Sequence, residues 1–446
     1  MRNASSTIEQ VAGRRVWDSR GRPTVEAEIR LASGVVGRAI APAGASTGSG
    51  EAVDLRDGGT RLGGYDVTAA VRNVQDEIAP ALRGRDVTDQ ARLDQALVDL
   101  DGTSDRSRLG GNGLIAVSLA ALHAAAGAAG LPLWGYLLGA GTALLPLPEI
   151  QIFGGGAHAG RRVDIQDFMV MPVGASSFAQ ALDWTAEVYL AAGTRMAQAG
   201  RLQGVADEGG YWPAFDTNEE ALEFLVRAIE DAGRAPGDDL AISLDVAATE
   251  FHDAGQYHLG LDGRAIDGDA LIELLVGWID RYPIVSIEDP LAEDDVAGMQ
   301  RFTAAVGDRV QIVGDDYLVT NARRVERAAR DRACNALLVK PNQAGTVTET
   351  RAALEAARAA GFATIVSARS GETEDVTIAH LAVGWGAGQL KVGSFARSER
   401  MAKWNEVLRI EEALGDTGTF AGRGALAPPS APAGTGDPRG PGRRSG

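Results

Sequence analysis

Three short apolar runs, each ending in a charge, limit what this chain can fold into more than any other feature. They are Ile284-Val285-Ser286-Ile287-Glu288-Asp289, Val310-Gln311-Ile312-Val313-Gly314-Asp315-Asp316 and Ala336-Leu337-Leu338-Val339-Lys340. Each is aliphatic, short and bounded by breaker residues, the pattern of a strand buried on both faces of a parallel sheet. Burying the aliphatic body costs little, whereas a carboxylate or ammonium at its end is costly unless it is paired or used. The spacing between successive charges leaves room for a strand, a loop, a helix and a return. Acid, acid and base therefore arrive at one place. That is the layout of a β/α barrel with its catalytic groups at the carboxyl ends of its strands.

With 446 residues the chain exceeds one ordinary core, so two domains are expected. Residues 13–41 alternate as a β-meander, and the period turns helical over 68–100 and again over 112–130. Residues 1–140 thus read as a small α+β domain, with a hinge at 139–148. The loop Ala43-Gly44-Ala45-Ser46-Thr47-Gly48-Ser49-Gly50-Glu51 lacks the lysine of a Walker phosphate loop. It reads either as a surface turn or as a lid whose Ser46 reaches a ligand. Residues 141–420 alternate strand and helix. Strands are expected around 147–152, 164–170, 202–207, 240–245, 284–288, 310–315, 336–340 and 363–367, with a further short one at 389–393. Helices are expected over 177–199, 218–232, 269–281, 322–330 and 348–360, the last opening at Thr348-Glu349. Residues 421–446 are rich in Gly, Pro and Ala and read as a disordered tail.

The formal charge of -17 argues against a nucleic-acid partner, which needs a basic face. It does not argue against a small anionic substrate, because a pocket can be locally positive. The single cysteine, Cys334, excludes a disulfide framework and a cysteine-rich zinc site, and reads as a buried inert thiol. No charged residue lies between Arg108 and Glu149, a stretch long enough to cross a bilayer. Pro132, Pro146 and Pro148 break it, so 112–130 is expected to be a buried helix rather than a span. No apolar run of a secretory signal appears in residues 1–10, and a cytoplasmic location without membrane contact is expected.

The residues expected at strand ends are His158, Asp167, Glu208, Asp245, Glu288, Asp315, Lys340, Arg369-Ser370 and Lys391. Independent helix caps would mix Ser, Thr, Asn and Asp. These residues instead sort into two chemical sets. Asp245, Glu288 and Asp315 at one rim would repel one another unless a cation sat between them. With no Cys or His among them the ligands are hard oxygens, which select Mg²⁺, with Mn²⁺ as a substitute. Lys340, Arg369 and Lys391 form the basic set. Arg suits a bidentate grip on phosphate or carboxylate. A lysine beside Mg²⁺ and other cations is expected to have a lowered pKa and to serve as a general base. Together these groups fit proton abstraction α to a carboxylate, with Glu208 as the acid on the opposite face.

The same residues carry a resemblance that spans nearly the whole chain. Asp18-Ser19-Arg20-Gly21, Gly44-Ala45-Ser46-Thr47-Gly48, His158-Ala159-Gly160, Met171-Pro172-Val173-Gly174-Ala175 and Asp207-Glu208-Gly209-Gly210 lead the series. Leu244-Asp245-Val246-Ala247-Ala248, Ser286-Ile287-Glu288-Asp289-Pro290, Val313-Gly314-Asp315-Asp316, Lys340-Pro341-Asn342-Gln343, Arg369-Ser370-Gly371-Glu372-Thr373-Glu374-Asp375 and Arg397-Ser398-Glu399-Arg400 complete it. In this order they resemble the enolases, the phosphopyruvate hydratases. The resemblance implies an α+β cap and an enolase-type barrel with atypical first turns. It implies one Mg²⁺ on Asp245, Glu288 and Asp315, and a second bound with the substrate and helped by Ser46. Lys340 would take the C2 proton, and Glu208, with Asp167 nearby, would serve the C3 hydroxyl. Arg369 and Ser370 would hold the phosphate, Lys391 the carboxylate, and His158 would close over the substrate. A lysine base with one or two Mg²⁺ ions is a known pattern of this superfamily. Family members are usually homodimers or octamers.

Several departures fall inside the site. Enolases usually have His where this chain has Ala368, and Glu where it has Asp167. Gly154-Gly155-Gly156-Ala157 replaces Asn-Gly-Gly-Ser, Ala43 replaces Ser, and Ser394-Phe395-Ala396 replaces Ala-Pro-Cys. Three activities follow as expectations. One is dehydration of 2-phosphoglycerate to phosphoenolpyruvate. A second is related chemistry on a phosphonylated carboxylate, as in the enolase-like carboxyphosphonoenolpyruvate synthases of phosphonate antibiotic pathways. The third is a non-catalytic binding protein on the same fold.

Overall fold

The computed structural model describes residues 6–426. Strands Ile8–Trp17, Pro23–Leu31 and Val36–Ile40 form an antiparallel meander in chain order. Helix Gly111–Ala128 packs across it. This helix is long and apolar enough to cross a membrane by composition alone, but 83% of its span is buried inside the chain. Its apolar character serves the core of the N-terminal domain.

Eight strands close the barrel. Their order around the ring is Leu147–Gly154, Asp167–Met171, Ala241–Asp245, Ile284–Glu288, Gln311–Gly314, Ala336–Val339, Ala363–Ser367 and Gly388–Ser394, the last pairing back onto the first. All neighbours run parallel except Asp167–Met171, which is antiparallel to both strands beside it. The run expected as a strand at 202–207 is not part of the wall. Leu202–Val205 pairs with Tyr211–Pro213 as a hairpin hung on the first strand through Phe153 and Tyr211. The run at 389–393, expected as an extra, is the eighth wall strand. Leu202 and Val205 are exposed, unlike the side chains of the wall strands, so the apolar ends of this short run do not mark it as wall.

Helices Phe178–Gln198, Asn218–Asp231, Gly268–Arg281 and Ala322–Asp331 occupy the expected segments. The 348–360 helix is Val347–Ala359, and its cap is Thr346 rather than Thr348. Thr346 Oγ1 accepts from Glu349 N, capping the helix, and donates to the Glu349 carboxylate. Ser118 and Asp94 of the N-terminal domain accept from the next free amides, Val347 N and Thr348 N. The N-terminal domain thus closes the end of a barrel helix.

The composition-based start of the tail at 421 falls too early. Thr419–Phe420 pairs with Leu144–Leu145, and a 3₁₀ turn spans Gly422–Ala425. Phe420, Ala425 and Leu426 pack on Leu147, Met171, Val173 and Ala241, and the Ala425 carbonyl accepts from Gln389 inside the barrel. A Gly-rich segment is seated here because it plugs the amino end of the barrel. Residues 427–446 lie outside the described residues.

Candidate active site

Strand register builds the site. Asp245 lies opposite Glu288 on one side and opposite Asp167 on the other. Lys391 lies opposite Ser367 and opposite Glu149. Paired residues on neighbouring strands send their side chains to the same face. One layer of the barrel interior therefore holds most of the charged groups. Asp167 opens its strand instead of ending it. The strand is reversed, so its amino end reaches the rim where the other strands finish. Strands two and six of an eight-strand ring face each other, which sets Asp167 across from Lys340.

A small pocket opens at this rim. Its walls include Ser46, Asp167, Glu208, Asp245, Lys340, Arg369, Ser370 and Lys391 from the sequence-derived set, and also Gln166, Ser367 and Ala368. Glu288 and Asp315 sit just beneath, both buried. His158 belongs to the 3₁₀ turn Gly156–Ala159 on the loop between the first two strands. Glu208 occupies the turn of the hairpin. Gly209 beside it has a φ of +97°, and a Cβ there would lie 2.4 Å from the Ala396 carbonyl, so this turn requires glycine.

The carboxylates are shared between two ammoniums. Lys391 Nζ lies 2.8 Å from Asp245 Oδ2, 2.8 Å from Glu288 Oε2 and 3.6 Å from Asp167 Oδ2. Lys340 Nζ donates to Asp315 Oδ2. Burial pushes Lys340 down, but Asp315 overrides it and holds the ammonium above its ordinary value. Lys391 is likewise raised, burial being outweighed by Asp245 and Glu288. The lowered lysine pKa expected from sequence is not what the protein's own groups produce, because the nearest charges are bare carboxylates. Burial and Asp245 push Glu288 well up, and burial with Asp315 does the same to Asp289 and Asp316.

A hard divalent cation fits this arrangement. Glu288 Oε1 is buried with no hydrogen-bond partner among the described residues. Asp289, Asp315 and Asp316 present oxygens within 4.8 Å of one another. Asp289 uses both its oxygens on backbone, accepting from Asp315 N at 3.0 Å and Asp316 N at 2.7 Å. It therefore shapes the turn that presents Asp315. Asp315 and Asp316 remain as the oxygen donors of that cluster, while Asp245 and Glu288 of the expected set lie outside it, held by Lys391.

Arg369 is already gripped. Its NH1 and NH2 lie 2.9 and 3.1 Å from the two Glu51 oxygens, NH1 also reaches Asn342 Oδ1, and NH2 reaches the Ser46 carbonyl at 3.0 Å. The 44–51 loop thus lies on the rim, with Ala45 N donating to Ser370 Oγ at 3.1 Å. A Cβ at Gly44 would lie 2.1 Å from Arg369 NH2, so glycine is what lets the loop cross the guanidinium. From below, fully buried Arg400 donates to the carbonyls of Arg369, Ser370 and Val392, at 2.6, 2.5 and 2.8 Å.

Five of these groups were not picked out from the sequence as site residues. Gln151 donates to Asp167 and accepts from Gly210 N, joining the two acid-bearing segments. Gln166 Nε2 donates to Asp245 Oδ2 at 2.9 Å. Glu149, fully buried beside Lys391, is pushed up to about 7 by burial and by Asp245 and Asp167, against the pull of Lys391. Glu51 and Arg400 complete the set. A charged residue at Glu149 within an otherwise apolar strand was the one available signal. Cys334 is buried, and burial pushes its thiol up, in keeping with an inert side chain.

Family models match both halves of the chain. The enolase N-terminal domain model matches residues 8–137, and the enolase C-terminal TIM barrel domain model matches residues 142–428. With a meander domain, a barrel with one reversed strand and a carboxylate-lysine rim in that order, the chain belongs to the enolase family.

Proposed function

We propose that the protein is a Mg²⁺-dependent lyase that dehydrates 2-phosphoglycerate to phosphoenolpyruvate. The observation that carries this reading is the placement of Lys340 across the pocket from the strand that opens at Asp167, with Glu208 on the same wall. Lys340 Nζ, once deprotonated as a cation on Asp315 would favour, takes the proton at C2, and the C–H electron pair passes toward the carboxylate. Glu208 gives a proton to the C3 hydroxyl, which leaves as water as the C2–C3 double bond forms. Asp167 and its partner Gln151 support that wall. Lys391 meets the substrate carboxylate. Arg369 and Ser370 meet the phosphate, and the loop of His158 closes over the substrate. Bound Mg²⁺, held by Asp245, Glu288 and Asp315 with Ser46 serving a second ion, would offset the charge that builds on the carboxylate. Purified protein with Mg²⁺ and 2-phosphoglycerate should show the rising ultraviolet absorbance of an enolpyruvate. No rise, and no solvent exchange of the C2 proton, would overturn the reading.

One observation favours a second reading, in which the same half-reactions act on a phosphonylated carboxylate. Ala368 lines the pocket next to Arg369 and Ser370, and its methyl group fills less of the anion end than an imidazole would. Under this reading the protein exchanges the C2 proton of 2-phosphoglycerate without dehydrating it efficiently, and Ala368→His raises the dehydration rate. An unchanged rate in Ala368→His would leave the first reading alone.

A further inference from the structure

Gln343 has no part in the scheme above, yet it touches Asp315, which has one, and Glu51, which grips Arg369. It is 2% exposed. Its Nε2 donates to Asp315 Oδ1 at 2.8 Å and to Glu51 Oε1 at 3.3 Å. Its Oε1 accepts from Thr320 Oγ1 at 2.6 Å, and that hydroxyl oxygen accepts from the backbone N of Lys340 at 2.9 Å. Two carboxylates on one side fix the amide orientation, since only the NH₂ end can face them. The Gln343 carbonyl accepts from Ala52 N at 2.8 Å, directly after the 44–51 loop.

The backbone at Thr320 shows that this contact is imposed. Val319 and Thr320 both lie in the left-handed region, with φ of 44° and 49°. β-branched residues avoid that region, so two in succession persist only where the surroundings over-determine them. The result is a hydroxyl that stands between the Lys340 amide and the Gln343 oxygen.

We infer that Gln343 is a positioning residue that ties the 44–51 loop to the Asp315–Lys340 pair, with Thr320 as its anchor. The inference rests on Lys340 being the base. With the loop seated, Glu51 and Asp315 each take one amide proton of Gln343. The loop carboxylate, the carboxylate that holds the base and the base's own backbone are then joined through one planar group. When the loop leaves, Glu51 leaves with it, and nothing but Asp315 holds the amide on that side. The base is therefore aligned only while the loop covers the pocket, which restricts proton abstraction to the closed state.

Hydrogen exchange on the full-length protein without substrate tests the coupling. Gln343→Met should speed exchange of the amides in 44–51 at least tenfold, with the Phe178–Gln198 helix unchanged; unchanged loop exchange would overturn the inference. Thr320→Val should reproduce the effect and Thr320→Ser should not, and equal behaviour of the two would also overturn it. In turnover, Gln343→Met should lower kcat about tenfold in the wild-type background but less than twofold on top of Glu51→Gln, whereas a purely structural role predicts additive losses. Loop exchange is read without any reaction, so failure there sinks the coupling alone. Faster loop exchange in a protein that never turns over would sink only the assignment of the reaction.

Discussion

Asp245 and Glu288 share one ammonium, that of Lys391, at 2.8 Å from an oxygen of each. One positive charge for two buried carboxylates leaves the rim negative, and Glu288 keeps an oxygen without a partner among the described residues. A divalent cation would remove that excess. Mg²⁺ should therefore stabilise the fold, by about 2.7 kcal/mol when present at about 100 times its dissociation constant. Differential scanning calorimetry with and without Mg²⁺ measures this, and Glu288→Gln should lose most of the gain. A midpoint that ignores Mg²⁺ would remove the metal from the scheme.

Lys340 and Glu208 are assigned to separate half-reactions, so their removal should be separable. Lys340→Met should cut C2-proton exchange about 10²–10⁴-fold, the usual range for losing a general base. Glu208→Gln should cut dehydration by a similar factor while C2 exchange continues. Deuterium incorporation followed by NMR distinguishes the two. Equal loss of exchange in both variants would contradict the division of labour.

Arg369 is buried with Glu51 as its bidentate partner. Glu51→Ala leaves a buried guanidinium uncompensated, which should cost about 3–5 kcal/mol of stability by denaturant unfolding. A phosphate-bearing ligand that binds Arg369 should restore part of the loss. A change below about 1 kcal/mol would mean that solvent reaches the guanidinium and the loop is not seated.

His123 and His380 meet edge to face, 6.5 Å apart, where helix Gly111–Ala128 approaches helix Thr377–Gly384. His123 Nε2 shares a hydrogen bond with Thr377 Oγ1, and His380 Nε2 lies 3.4 Å from Glu406. Burial holds both imidazoles below the ordinary value of 6.5, with Asp375 and Glu406 pulling the other way. A folded-state pKa below the unfolded one means that the unfolded chain binds protons first. Stability from this pair should be present above about pH 6.5 and fall as the pH drops below it. His380→Gln should flatten the melting temperature against pH between 5 and 7. An unaltered slope would place the acid sensitivity elsewhere.

The barrel and the charged groups at its rim were legible from the sequence because strand bodies and terminal charges obey strong local rules. Lys340, Glu288 and Asp315 each end an aliphatic run, and no surface strand would tolerate that pattern. Asp167 was found for a different reason from the one that places it: it was read as a strand-end residue of a 164–170 strand, whereas it opens one, because residue order carries no mark of strand direction. Leu202–Val205 was misplaced into the wall because a hairpin and a wall strand share the same periodicity. Gln343, Glu51 and Arg400 gave no local signal at all. Their partners lie far away along the chain, so their roles exist only once the fold has closed.

The reversed strand has a consequence for how the pocket can change. In a ring of eight parallel strands, every group at the rim follows a strand and is delivered by the connection to the next helix. One reversed strand admits a group from the opposite direction, so Asp167 is delivered by the Gly-rich segment that precedes it. The acid wall can therefore be lengthened, shortened or re-aimed by edits between residues 155 and 165, short of Gln166 and its bond to Asp245, while the strand-to-helix connections that deliver Lys340 and the carboxylates stay as they are. On the proposed assignments, the wall that meets the leaving group and the group that takes the proton are addressed through separate stretches of the gene, and one can drift while the other is held.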